Sequence, residues 1–281
     1  MTIASEQGRT DPGRTDSERG AAPAALLRSE AHSATSNLPV YVVSLRDAQE
    51  RRRNMAGRLA AAGIAFRFVD AIDGRSQRLP DVFDGARVVR QGFYSESALG
   101  AAMSHRLVHR MIADGESDLA LVLEDDAKLA PDIIEVLAAA PSLEFDLLKL
   151  EGGPRRRRAV VGRIGRYSLI IGMMPSMGAA AYLIRRSAAA RFCALPVLDQ
   201  EIDSAFGDFR LSLRVLELDP YAVIQDRETP TLVSFQQYPP GFRRGLNFWG
   251  RLALPWRKRG RVLRLHGIRV ALALELQKFR S

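Results

Sequence analysis

The sequence predicts an α/β fold with one sizeable core arranged around a largely parallel sheet. Two observations carry that expectation. Short apolar runs at 38–45, 119–123 and 145–150 alternate with stretches of helical spacing, the rhythm of repeated βα units. A chain of 281 residues with 47% hydrophobic content can bury one such core, with room for an appendage and not for two full domains. In sheets of this kind ligands bind beyond the carboxyl ends of the strands, so residues directly after each apolar run are the first candidates for chemistry.

Taken in order, residues 1–36 are rich in Ser, Thr, Gly, Ala, Arg and Glu, with few large apolar residues, and are expected to be disordered. The folded body, residues 37–241, begins with a strand over 38–45. Asp47 suits the N-cap of a helix reaching about Ala62, and Gly63 supplies its stop. Residues 64–69 alternate as a strand and end in the turn Asp70-Ala71-Ile72-Asp73-Gly74. A helix over 97–113 leads through a turn-like segment at 114–118 into the strand 119–123. A helix from about Pro131 to Ala140 and a strand over 145–150 complete the pattern. No internal repeat is visible.

Directly behind the central strand stand Glu124, Asp125 and Asp126. Three adjacent negative charges at the end of a buried strand call for a cation or for open water. Side chains alternate along an extended chain, so Glu124 and Asp126 are expected on one side and Asp125 on the other. That spacing suits a hard divalent ion shared with a diphosphate; a solvated acidic turn is the alternative. Arg46 and Arg51 to Arg53 follow the first strand, where a doubly wound sheet would hold a nucleotide. His105 and His109 lie four apart at the border of an apolar helix stripe. Arg106 stands where a zinc-protease helix needs Glu, which removes that reading. Arg155 to Arg158, after Gly152-Gly153-Pro154, suggest a mobile loop facing an anionic acceptor or a diphosphate.

Cys193 is the one cysteine, so no intramolecular disulfide forms, a reducing compartment is expected, and the thiol reads as a small core hydrophobe. No apolar run has the length of a signal peptide or of a membrane span, which points to the cytoplasm. Residues 242–281 hold eleven Lys or Arg against the single acid Glu275, so this tail accounts for the whole net charge of +9. Phe242, Phe248, Trp249 and Trp256 are interleaved with the charges, and leucines follow. Such a segment is expected on an anionic membrane surface, or packed on the core, at the inner face of the membrane. No nucleic-acid motif accompanies the charge, so nucleic acid is not expected as a partner.

Gly100, Ser104-His105 and Glu124-Asp125-Asp126, in that order and spacing, resemble glycosyltransferase family 25, the group that contains bacterial lipooligosaccharide and procollagen galactosyltransferases. So do residues 42–46 with Arg51, residues 71–74, residues 178–184 and, weakly, Asp203 and Gln225-Asp226. The likeness covers roughly residues 38–235. The family usually carries Glu and Cys where this chain has Ala98 and Ala101, and Asn where it has Ser44. The resemblance implies a GT-A-like single domain with a Rossmann-like sheet. It also implies Mn²⁺ or Mg²⁺ on Glu124 and Asp126, and donor contacts at Leu45, Arg46, Arg51, Gly100, Ser104, His105 and Asp125. The activity it implies is inverting transfer of a hexose, by analogy galactose, from a UDP-sugar to a lipid-linked saccharide or other surface-glycan acceptor. Such a transfer needs a carboxylate base; the family match falls on Asp203, with Asp199 and Glu201 as competitors. Two rivals stay open: another nucleotide-sugar or nucleotidyl enzyme, and a non-catalytic membrane-associated binding protein of the same fold.

Overall fold

The computed structural model describes residues 37–76, 87–93, 95–153, 157–226 and 248–277. The disorder expected for residues 1–36, and Arg155 and Arg156 of the basic run, lie outside them. In chain order the elements are β1 (Val40–Ser44), α1 (Gln49–Ala61), β2 (Arg67–Asp70), β3 (Arg87–Val88), α2 (Glu96–Ala113), β4 (Leu119–Glu124), β5 (Ala127–Leu129), α3 (Ile133–Ala139), β6 (Leu147–Lys149), β7 (Arg158–Ile164), β8 (Tyr167–Gly172), β9 (Ala181–Arg185), α4 (Arg186–Cys193), β10 (Val197–Leu198), α5 (Ile202–Ala205), β11 (Val215–Asp219), β12 (Val223–Gln225) and α6 (Phe248–Leu276).

Eight strands form one sheet in the order β2-β1-β4-β9-β6-β11-β8-β7. β1 runs parallel to both β2 and β4, and β11 runs parallel to β6. β9 is antiparallel to both β4 and β6, and β8 is antiparallel to β11 and β7. The sheet is therefore mixed, not largely parallel as the βα rhythm suggests. The rhythm stops at β6. Beyond it Gly165, at φ +50, lies between β7 and β8, and so short a connection can join only antiparallel strands. Arg158, the last of the basic run, opens β7.

β4 is apolar from Leu119 to Leu123 because both of its faces are covered there. Leu119, Leu121 and Leu123 pack with Met55, Leu59, Val136 and Leu137 on one side. Ala120 and Val122 pack with Val108, Ile112, Ala188 and Phe192 on the other. Asp47 does not cap α1: that helix starts at Gln49 behind Ala48, with no side-chain cap. The cap sits on α2, where Ser95 Oγ accepts the Ala98 N–H at 3.0 Å. Ser95→Ala should lower stability by about 1 kcal/mol, read as a lower urea midpoint.

The C-terminal segment is not a loose tail. Arg259 Nε meets Glu275 Oε1 at 2.8 Å, although sixteen residues of straight helix would hold them about 24 Å apart. The chain reverses at Gly267, whose φ of 81° and ψ of 171° are non-helical. Val262 and Leu274 enter the core beside β7 residues. Gln277 exchanges hydrogen bonds with the Arg158 backbone, and Arg261 donates to the Leu213 carbonyl.

Candidate functional site

Register places the site. Val122 of β4, Tyr182 of β9 and Lys149 of β6 are direct neighbours across three strands, so their side chains share a face. Two residues further on Glu124 returns to that face, and Ala180, which accepts the Glu124 N–H and donates to Glu151, ties in Glu151, two residues past β6. β4 and β6 both oppose β9 and so run parallel to each other, which puts the two carboxylates at the same edge. The α5 helix brings Asp203 to this place. Its Oδ2 accepts the Gly178 N–H at 3.1 Å and its Oδ1 the Ser204 N–H at 2.6 Å.

The segment between β8 and β9 threads these carboxylates. Lys149, fully buried, donates to the carbonyls of Ser176 and Gly178 at 2.6 and 2.5 Å. Glu217 accepts from the Ser176 N–H and hydroxyl. Ala180 donates its N–H to Glu151 Oε2 at 3.1 Å, and its carbonyl accepts the Glu124 N–H at 2.8 Å. Gly178 holds φ +98, and a Cβ there would lie 2.6 Å from the Glu151 carboxylate; glycine answers both demands.

β4 ends at Glu124 and a turn follows, so the strict alternation expected for the three acidic residues does not hold. Asp125, buried, turns toward β1: Ser44 Oγ donates to its Oδ2 at 2.5 Å, and Arg51 stands 3.3 Å from its Oδ1. Ser44, which replaces the usual Asn of the resemblance, is thus itself a support of the triplet. Glu124, part exposed, points at His105. Asp126 Oδ1 is buried with no hydrogen-bond partner. Burial first, then the Glu124 and Asp125 charges, push its carboxyl up to about 7. A buried oxygen left without a donor, beside a second carboxylate, is the chemistry a divalent cation satisfies. Among the described residues no group of three or more His, Cys, Asp or Glu converges to hold such an ion, so any cation here takes the remaining ligands from substrate or water.

Residues expected to touch the donor divide into rim and support. Arg46, on the rim, pairs with Asp70 at 3.2 Å, and Leu45 is half-buried, its carbonyl accepting from Arg52. Arg51 lies against Asp125 and is the guanidinium nearest the triplet in the ion pairs described. Gly100 is a packing contact: a Cβ there would fall 2.5 Å from the Ile72 carbonyl and 2.6 Å from the Gly74 nitrogen. Ser104, fully buried, accepts the Ile72 N–H at 2.8 Å and donates to the Gly100 carbonyl. Both fasten the 71–74 turn.

The histidines do not sit at a helix border. Both are fully buried because α2 is enclosed between the sheet and α4. His105 Nε2 lies 3.1 Å from Glu124 Oε1 and its Nδ1 2.8 Å from the Tyr182 hydroxyl, which lies 2.8 Å from His109 Nε2. One proton assignment satisfies the chain: His105 donates to Glu124, Tyr182 to His105, and His109 to Tyr182. His109 Nδ1, without a partner, is then a bare lone pair, and burial holds its ring well below the usual imidazole range. His105 therefore links Tyr182 to Glu124. In the sequence Tyr182 stands only within the 178–184 stretch of the family resemblance, and no local signal marks this relay.

The family model described as glycosyltransferase family 25 (LPS biosynthesis protein) matches residues 37–200, which contain β1, the triplet and the relay. The chain belongs to glycosyltransferase family 25. Over 107 residues it is 30% identical to the lacto-N-neotetraose biosynthesis glycosyltransferase LgtE of Neisseria meningitidis serogroup B, a match spanning 37% of this chain and 38% of that protein. The crystal structure of HddC from Yersinia pseudotuberculosis superposes on 68% of this chain and 74% of its own at 9% identity and a TM-score of 0.31, too slight a likeness to assign a fold.

Within this family member the three acidic residues after β10 separate by environment. Asp199 is tied to Arg210 at 2.8 Å, and Glu201 is buried beneath the start of α5. Asp203 is half-buried beside Gly178, on the carboxylate side of the loop.

The raised Asp126 carboxyl has a consequence for stability. Below pH about 4 native and unfolded chains both keep this proton. Between about 4 and 7 the unfolded chain releases it while the native site holds it, so native stability falls as pH rises, and above 7 the full cost remains. In chelator, Asp126→Asn should be more stable than the parent to urea unfolding at pH 8, by on the order of a few kcal/mol, with the difference vanishing toward pH 4.

Proposed function

We propose that this protein is a GT-A-like, divalent-cation-dependent inverting glycosyltransferase that moves a hexose from a UDP-sugar to a lipid-linked saccharide of the lipooligosaccharide kind. One observation carries the reading: the buried, partnerless Asp126 oxygen beside Glu124 at the carboxyl end of the central strand. The likeness to LgtE, a lacto-N-neotetraose biosynthesis glycosyltransferase, favours a surface-glycan acceptor, and galactose is the hexose proposed.

Glu124 and Asp126 would hold the cation, Mn²⁺ or Mg²⁺, which when bound neutralises charge on the departing diphosphate. His105, backed by Tyr182 and His109, fixes the Glu124 carboxylate in one orientation. Arg51 and Ser44 hold Asp125 toward β1 and set that side of the donor pocket. Asp203 takes the proton of the acceptor hydroxyl. Its two backbone N–H bonds lock its position and leave each oxygen a further lone pair for that hydroxyl. Mn²⁺-dependent release of UDP from UDP-galactose, accelerated by a galactose-accepting glycan, tests the reading; no release in a panel of UDP-hexoses would overturn it.

The same proposal includes peripheral attachment to an anionic membrane through α6. Among the described residues no helix is long and apolar enough to cross a membrane. Trp256, Leu263, Ile268, Leu272 and Leu276 are exposed on this element, with Arg257, Arg264 and Arg269 exposed among them. Apolar side chains flanked by cations are what an anionic lipid surface attracts. Deletion of the segment would strip Val262 and Leu274 from the core, so substitution is the cleaner test. Changing Leu263, Ile268, Leu272 and Leu276 to Ser should abolish sedimentation with phosphatidylglycerol vesicles at low salt and leave turnover of a soluble acceptor intact. Undiminished sedimentation would remove α6 from the membrane contact.

A further inference from the structure

Glu151 is the carboxylate for which the proposed reaction has no role so far. It stands two residues past the end of β6 and is 7% exposed. Its Oε2 accepts from Ala180, whereas Oε1 takes no hydrogen bond from the described residues. Burial first, then the charges of Glu124 and Asp203, push its carboxyl up to about 7 against the opposing pull of Lys149 and the Ala180 N–H. Gly178, where a Cβ would lie 2.6 Å from this carboxylate, donates to Asp203, and Ala180 bonds both Glu151 and Glu124, so Glu151 stands between the two.

That position has a chemical meaning if Glu124 lies on the leaving-group side and Asp203 on the acceptor side. An inverting displacement holds the leaving group and the base on opposite faces of the anomeric carbon, with the sugar ring between them. A carboxylate placed between the two partners is beside the ring. Glu151 follows β6, one strand beyond β9 from the β4 that ends in Glu124, at the same edge of the sheet. Gly178, with no side chain, keeps the approach to its carboxylate clear.

We infer that Glu151 Oε1 binds a ring hydroxyl of the transferred hexose and so selects which hexose the enzyme accepts. This rests on the donor reading above. A carboxylate that takes one backbone N–H on one oxygen and offers the other to a sugar discriminates epimers, because an inverted hydroxyl leaves the buried oxygen unpaired. Glu151 touches substrate and performs no proton transfer in this scheme.

The test separates this inference from the reading beneath it. UDP affinity in Mn²⁺, measured by calorimetry, should be unchanged within about twofold in Glu151→Gln, since the nucleotide and diphosphate lie outside its reach. kcat/KM for the preferred UDP-hexose should fall about ten- to a hundredfold, and the preference between UDP-galactose and UDP-glucose should shrink by a similar factor. Glu151→Asp, which withdraws the carboxylate by one methylene, should show the same loss of preference, and it decides the matter if the Gln variant melts below assay temperature. A purely structural Glu151 would lower Tm and leave the epimer ratio as it was; that result overturns the inference. Absence of UDP binding by the parent protein would overturn both the donor reading and the inference built on it.

Discussion

Asp126→Ala is expected to reduce cation-dependent turnover of a UDP-sugar to background, a loss of about 10³-fold or more, while the protein remains folded. Both parts follow from one geometry. The Asp126 Oδ1 atom has no protein donor, so its removal breaks no hydrogen bond of that oxygen. Its charge is held beside Glu124 and Asp125, so truncation also relieves repulsion. A melting temperature at or above that of the parent, together with lost turnover, is the expected pair of results. Retained turnover, or equal activity in EDTA, would remove the triplet from the chemistry.

Asp203→Asn should lose transfer by about 10² to 10⁴-fold and keep UDP-sugar affinity. The amide keeps one oxygen that can accept from Gly178 or Ser204, so the helix start and loop should hold. Asn cannot take a proton from the acceptor, and increasing pH should not restore the rate as it would for a merely weakened base. A variant with parental transfer rates would shift the role to Glu201, since Asp199 is engaged by Arg210.

The sequence displayed the centre of this site more clearly than its surroundings. The apolar run 119–123 followed by three acids is local, and both the strand and its carboxyl-end chemistry can be read from consecutive residues. Gly63 and the turn at 70–74 are equally local. Glu151 and Tyr182 were not legible because their meaning depends on register: Val122, Tyr182 and Lys149 become neighbours only when β9 inserts antiparallel between β4 and β6. Nothing in the separate runs announces that insertion. Gly165, flanked by residues 158–164 and 167–172, was a turn signal that could have revealed the β7–β8 hairpin and with it the mixed sheet. Spacing alone put the two histidines at a helix border, since it does not show that α4 covers that side of α2. The reversal at Gly267 was hidden in the same way, because one glycine in a basic run does not foretell the Arg259–Glu275 contact.

The central claim is that Glu124 and Asp126 bind a divalent cation together with a diphosphate. Electron paramagnetic resonance of Mn²⁺ reports it directly, because the sharp signal of the free aqueous ion is lost on binding. With UDP present, the parent protein should remove about one equivalent of free Mn²⁺ beyond what UDP alone takes up, and Asp126→Ala should remove none. Equal uptake by the two proteins, or no uptake by the parent, would contradict the account.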